Sequence, residues 1–244
     1  MTSRAGTVLD SVSGAVLIAA NLATSAPLRR WRTAWGATDD ERKATLPGDE
    51  LVPDADWTYT HEVTVHAPPD AVWRWIVQIG QGRGGFYSYQ GLENLIGCRI
   101  RNTDRILDDF QHLQVGDVVA MHPSAPGLPV VAIETNSRLV LHNGSAETGD
   151  SALWSFHVVP GPGAATRLLE RGRYAHGPTL ASRLGFGPTL LEPISFVMCR
   201  KMLLGIRDLA ERGGRPFRAS RRSRRGRSRR SRAAGSRRPA TARR

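Results

Sequence analysis

The spacing of hydrophobic and polar positions changes period several times along the chain, and each change predicts an element. From Thr58 to Val65 the residues alternate, with Tyr59, His61, Val63 and Val65 on one parity and Thr58, Thr60, Glu62 and Thr64 on the other. A period of two, rich in β-branched side chains, predicts a half-buried strand. At Pro68 the period lengthens. Pro68 and Pro69 suit a first helical turn, where a missing N–H costs nothing, and Asp70 complements the positive end of the helix dipole. Val72, Trp75, Ile76 and Ile79 then recur at helical spacing. Four apolar runs follow, at 117–122, 128–134, 138–142 and 152–159, and a fifth at 166–174 after Pro160-Gly161-Pro162-Gly163. Short runs joined by Pro, Gly and Asn turns predict antiparallel hairpins. A final stripe of Leu191, Ile194, Met198, Met202, Gly205 and Leu209, with Arg200, Arg207 and Glu211 opposite, predicts a long helix from about Thr189 to Arg212. Thr38 and Glu41 have capping-box spacing, so a short helix is expected from Asp39 to about Thr45, and another over Gln90 to Ile96. The chain is therefore α+β: a curved antiparallel sheet wrapped around a long C-terminal helix.

Gly80, Gly82 and Gly85 have the spacing of a dinucleotide fingerprint, but they follow a helix and lead into Phe86, Tyr87 and Tyr89. The fingerprint needs a strand before the glycines and a helix directly after them, so they read as a turn. With the strand before it and the Ala67-Pro68 to Val72-Trp73 helix, this segment resembles the START-like polyketide cyclase/dehydrase superfamily (SRPBCC). The closer resemblance is to an uncharacterised, largely actinobacterial branch with WGAT, LPGDE and GRGGFYSY motifs. Here these are Trp35 to Thr38, Leu46 to Glu50 and Gly82 to Tyr89, followed by Leu92-Glu93-Asn94. It continues through Asn102, Arg105, Gln111, Gly116-Asp117, Arg167, Arg171 and Arg173 to Met202 through Ile206, covering roughly residues 30 to 212. The resemblance implies a helix-grip fold, the architecture the periodicity predicts independently. Together with the composition of the chain's end it gives three expected regions: an N-terminal helical extension over 1–56, a START-like domain over 57–214, and a tail over 215–244.

Charge changes the picture only at the end of the chain. The formal net charge is +12, but residues 215–244 carry 14 arginines and no acid, which leaves −2 for residues 1–214. With Phe217 as its only large apolar residue, the tail lacks the surface needed to offset its ordering entropy and is expected to be disordered. Three readings of it stay open: a solvated extension, a nonspecific arm for nucleic acid or anionic membrane, and a reading-frame artefact in an arginine-rich coding sequence. From Ser11 to Leu28 there is no charge, yet Ser, Asn, Thr and Pro interrupt the run, and Arg29, Arg30 and Arg32 follow it. A helix packed on the body, an export signal and an anchor all remain readings of that segment. Two distant cysteines, Cys98 and Cys199, make no disulfide framework, which fits the cytoplasm.

The candidate ligand-binding residues are Trp75, Arg83, Phe86, Tyr87, Tyr89, Trp154, Phe156, Arg171, Arg173, Met198 and Met202. Methionines adapt to irregular shapes and tyrosines join an apolar ring to a polar tip, so a hydrophobic or aromatic ligand fits this set. The same residues also fit a plain core. Arg171 and Arg173 share one parity with Arg167 and Leu169, so together they face either a cavity or solvent. Seven histidines are scattered without ligand spacing and no nucleophile motif is present, so no catalytic residue is assigned and neither metal nor cofactor is expected. The leading expectation is a START-like protein that binds a small hydrophobic molecule. A polyketide cyclase/dehydrase-like enzyme and an adaptor working through the tail are the alternatives, and the oligomeric state is left open.

Overall fold

The computed structural model describes residues 4–23 and 26–213, within one compact unit; the tail, expected to be disordered, lies outside the described residues. Its elements run α1 (Arg4–Ala23), α2 (Ala26–Arg32), α3 (Asp39–Lys43), β1 (Trp57–Val65), α4 (Pro69–Val77), α5 (Gln90–Leu95) and β2 (Val118–Val119). They continue with β3 (Leu128–Glu134), β4 (Arg138–Gly144), β5 (Ser151–Pro160), β6 (Thr166–Ala175), α6 (Leu180–Phe186) and α7 (Leu191–Gly213). The strands form one antiparallel sheet in the order β1-β6-β5-β4-β3-β2. With α7 packed across it, this is the helix-grip architecture that the period-two runs and the terminal helix predicted.

Register sorts the sheet into two faces. Tyr59 lies opposite Gly172, His61 opposite Glu170 and Val63 opposite Leu168, while Trp154, Phe156 and Val158 meet Gly172, Glu170 and Leu168 from the other side. These residues line the inner face with Leu139 and Leu141, over which α4 and α7 bury Val72, Ile76, Leu203 and Ile206. The outer face carries Thr60, Arg171, Ser155 and Val140, and residues 39–56 cover it. Val52 packs on Val140 and Leu153, and Gly48, at φ 102°, brings the backbone against the same two side chains.

Three elements differ from the sequence expectation. The run at 117–122 shortens to Val118–Val119, because Pro129 on the facing strand lacks an N–H and the Ala120 carbonyl turns away to accept from Gln81 N at 2.8 Å. Helix α6, capped by Thr179 through Ser182 N at 3.1 Å, went unpredicted; Leu180 and Leu184 point to solvent, so no apolar stripe announces it. On α7 the buried positions are Glu192 and Pro193 in the first turn and then Phe196, Val197, Met202, Leu203, Ile206 and Ala210, a face rotated from the predicted stripe. This helix is covered on more than one side, so its apolar residues do not define a single face. Gly205 meets the Tyr87 carbonyl rather than the sheet, a Cβ there lying 2.7 Å from that oxygen.

Helix α1 packs its small, polar side inward. Gly14 sits where a Cβ would lie 2.8 Å from Leu92 and Tyr89, Ile18 joins the Tyr89 cluster, and Asp10 pairs with Lys201 at 2.8 Å. Its opposite side exposes Val8, Val12 and Val16. By length and composition, Gly6–Ala23 could cross a membrane, and almost none of it is buried.

Candidate functional site

Polar side chains converge at one place on the inner face, beneath α7. Glu170 is fully buried, and its Oε1 accepts from Trp154 Nε1 at 2.6 Å and from Tyr59 Oη at 3.0 Å. Period two places Trp154 and Glu170 on the inner face of β5 and β6. Tyr59 reaches Glu170 because position 172 is glycine: a Cβ there would overlap the tyrosine ring. Trp57 and Tyr174 stack at 4.5 Å beside it, and Tyr59 stacks on His61 at 4.3 Å.

His61 closes the cluster. Its Nε2 lies 2.9 Å from the Arg32 carbonyl, and its Nδ1 lies 3.3 Å from Glu170 Oε2. A carbonyl can only accept, so Nε2 carries the hydrogen and, in the neutral ring, Nδ1 presents a bare lone pair. That lone pair faces a carboxylate oxygen. Two acceptors meet stably only with a proton or another cation between them. The Arg32 carbonyl is itself fixed, since the Arg32 guanidinium forms a buried two-point pair with Glu192 at 2.7 and 3.0 Å.

Cys199, from α7, lies 3.7 Å from Tyr59 Oη. Burial, then the Glu170 charge, pushes its thiol well above the usual range, and burial likewise raises the Tyr59 and Tyr174 phenols. The result is a desolvated carboxyl held by protonated donors and paired with one imidazole. Such a group can anchor a polar atom of a ligand or pass a proton between Glu170 and His61.

No protein-family model matches the chain, and no curated protein matches it in sequence. Among solved structures it is similar to protein MLL2253 from Mesorhizobium loti, at 18% identity and a TM-score of 0.37 over 64% of this chain and 98% of that one. The Aha1 dimer from Colwellia psychrerythraea is similar at 13% identity and a TM-score of 0.37, over 65% and 98% of the two chains. CalU16 from Micromonospora echinospora is similar at 12% identity and a TM-score of 0.31, over 64% and 84%. Likeness of this degree carries no argument about function, so the site rests on this chain's own residues.

The residues singled out from the sequence fall in four places, the last being that of Arg83 at the end of α4. Trp154, Phe156, Phe86, Tyr87, Trp75 and Met202 share the main core, with Trp154 touching the Glu170 cluster directly. Tyr89 and Met198 lie in a separate group with Phe196 and Ile18, and Lys201 sits over the Tyr89 ring at 5.1 Å. Arg171 and Arg173 lie on the outer face. Arg171 pairs with Asp49 at 2.5 Å and donates to the carbonyls of Glu41, Arg42 and Ala44, while Arg173 donates to Val52 and Pro53. They fasten residues 39–56 to the sheet.

The glycine segment is likewise tied down. Asn102 Oδ1 accepts from Phe86 N and Tyr87 N at 3.0 and 2.8 Å, and Gln78 Nε2 donates to Tyr87 Oη at 2.9 Å. Arg83 crosses the end of α4, donating to the Val77 carbonyl at 2.9 Å with its guanidinium 4.6 Å from the Phe110 ring. Sequence reasoning missed Tyr59, His61, Glu170 and Cys199 as a site. The available signal was a charged residue on the inward parity of β6, between Leu168 and Tyr174.

Proposed function

We propose that the protein is a START-like, ligand-binding helix-grip protein, whose sheet and α7 receive a small hydrophobic or aromatic molecule with the Tyr59–His61–Glu170–Cys199 cluster as its polar anchor. The observation that carries this reading is Glu170, a fully buried carboxyl on a face otherwise built from aromatic and aliphatic side chains. Burying a charged group costs several kcal/mol unless its partners compensate, and buried titratable groups with dedicated partners concentrate at functional sites. The surrounding Trp154, Phe86, Phe156 and Met202 supply the adaptable apolar surface such a ligand needs. Both cysteines are free, which fits a cytoplasmic setting.

Native mass spectrometry of gently purified protein tests this reading, followed by thermal shift across fatty acids, aromatic acids and polyketides. A retained small molecule, or a shift that Tyr59→Phe and Glu170→Gln reduce, is the expected result. An empty protein with no shift across the panel removes the reading. The 3.3 Å approach of His61 Nδ1 to Glu170 Oε2 favours a second one, a polyketide cyclase/dehydrase-like enzyme in which that pair transfers a proton. Under it, Glu170→Gln abolishes turnover while leaving ligand retention in place.

A further inference from the structure

The Glu170 cluster has a second chemical capacity. One ligand atom from each of His61, Glu170 and Cys199 lies within 4.8 Å of the other two, and His61 Nδ1 is the ring nitrogen that faces the carboxylate. We propose that these three residues form a binding site for one divalent transition-metal ion of the zinc class. The inference shares its site with the ligand reading but does not rest on it, and it departs from the expectation of no metal drawn from histidine spacing.

Four observations carry it. First, the Nδ1–Oε2 separation is 3.3 Å. That is long for a charge-assisted hydrogen bond, usually about 2.7–2.9 Å. It equals the edge of a tetrahedron whose centre lies about 2.0 Å from nitrogen and oxygen ligands, as around zinc. Second, the lone pair needed for coordination is already aimed inward, because the Arg32 carbonyl takes the Nε2 hydrogen at 2.9 Å. A ligating histidine has its other nitrogen held in just this way. Third, Glu170 is oriented from behind: Trp154 and Tyr59 both donate to Oε1, which leaves Oε2 to face the centre. Fourth, charge balances. A divalent cation, one carboxylate, one thiolate and one neutral imidazole sum to zero, the condition a fully desolvated site favours.

On binding, the ion fills the position between His61 Nδ1 and Glu170 and displaces the thiol proton of Cys199, which leaves to solvent with any proton the pair held. A nitrogen, oxygen and sulfur ligand set suits zinc and its spectroscopic substitute cobalt. Three protein ligands leave a fourth position open, the arrangement of metal sites that engage a further molecule.

The test uses the full chain, treated with chelator, dialysed and titrated with Co2+. The expected result is one equivalent bound, with the visible bands of four-coordinate Co2+ and a near-ultraviolet thiolate-to-cobalt charge-transfer band. Cys199→Ser should remove the charge-transfer band and His61→Gln should weaken binding at least tenfold, while Cys98→Ser should change neither. Trp154→Phe, which leaves all three ligands in place, should lower affinity about 10–100-fold. Circular dichroism confirms that each variant is folded. Absence of stoichiometric Co2+ and Zn2+ binding by the folded protein overturns the proposal, as does a charge-transfer band that survives Cys199→Ser or disappears with Cys98→Ser. Because the titration uses no organic ligand, its failure is separable from failure of the ligand reading.

Discussion

Replacing Glu170 separates a carboxyl needed as an acceptor from one needed as an anion. In Glu170→Leu, Trp154 Nε1 and Tyr59 Oη lose the acceptor they share at 2.6 and 3.0 Å inside a dry core. Each buried donor left unmade costs about 1–3 kcal/mol, so the substitution should destabilise by about 2–6 kcal/mol. Glu170→Gln keeps the acceptor at Oε1 and turns an amide N–H toward His61 Nδ1, satisfying the lone pair without a shared proton. It should change stability by less than about 1 kcal/mol in either direction. A domain of this size moves roughly 2–4 °C per kcal/mol, so thermal melts should show a fall on the order of 10 °C for Leu against a few degrees for Gln. The melts are run at neutral pH with chelator, so that no metal contributes. A Gln variant as unstable as the Leu variant would refute the reading of Glu170 as an acceptor rather than an anion.

Two buried groups away from that cluster should set opposing pH dependences. Burial pushes the Glu93 carboxyl up to about 7 from 4.5, so its stabilising effect is complete below pH 4.5 and is lost as pH rises to about 7. Burial, then the Arg171 charge, pushes His157 down to about 4 from 6.5, so its effect is complete above pH 6.5 and is lost as pH falls to about 4. Each window amounts to about 3 kcal/mol. Urea midpoints at pH 4.5 and 6.5 should then rise with pH in Glu93→Gln and fall in His157→Gln relative to wild type; slopes of one sign in both variants contradict the reasoning. Gly172→Ala should destabilise by about 1–3 kcal/mol by displacing Tyr59, and adding Tyr59→Leu should recover part of the loss in a double-mutant cycle. Arg171→Met takes the nearer cation from buried Asp49 and leaves it Arg173 at 4.0 Å, so it should cost on the order of 3 kcal/mol and should open residues 39–56 to limited proteolysis before the sheet. Changing exposed Val8, Val12 and Val16 to Ser should move stability by no more than about 0.5 kcal/mol each in a urea melt.

Much of the sheet could be read from the sequence because a period of two survives wherever one face is buried. The strand over Leu128–Glu134 falls where the run predicted, and Thr166–Ala175 differs by one residue. Helix α6 could not be read, since its leucines face solvent. The parity of Arg171 and Arg173 was legible, but not what they meet: residues 39–56 lie over a hundred positions earlier and form mostly irregular structure. The Glu170 cluster was hidden for a related reason. His61 and Glu170 are 109 residues apart, and only the pairing of β1 with β6 makes them neighbours. Spacing rules for metal or catalytic residues detect sites built within one element, and this one needs the register of two strands and the rotation of α7.

The Arg171–Asp49 clamp also bears on how the chain reaches its fold. It joins positions 122 apart, Arg32–Glu192 joins positions 160 apart and Asp10–Lys201 joins positions 191 apart, while β1 hydrogen-bonds to the last strand made. During synthesis, β1 therefore lacks its neighbouring strand until β6 appears, and the covering segment at 39–56, which meets β4 and β5 through Val52, lacks the arginines that fasten it. Topologies dominated by such distant pairings fold slowly and pass through stages in which apolar strands lie open to other chains. A chain stopped before residue 166 lacks both the neighbour of β1 and the arginine that seats the cover. The order of synthesis thus leaves the N-terminal third dependent on the arrival of the C-terminal half.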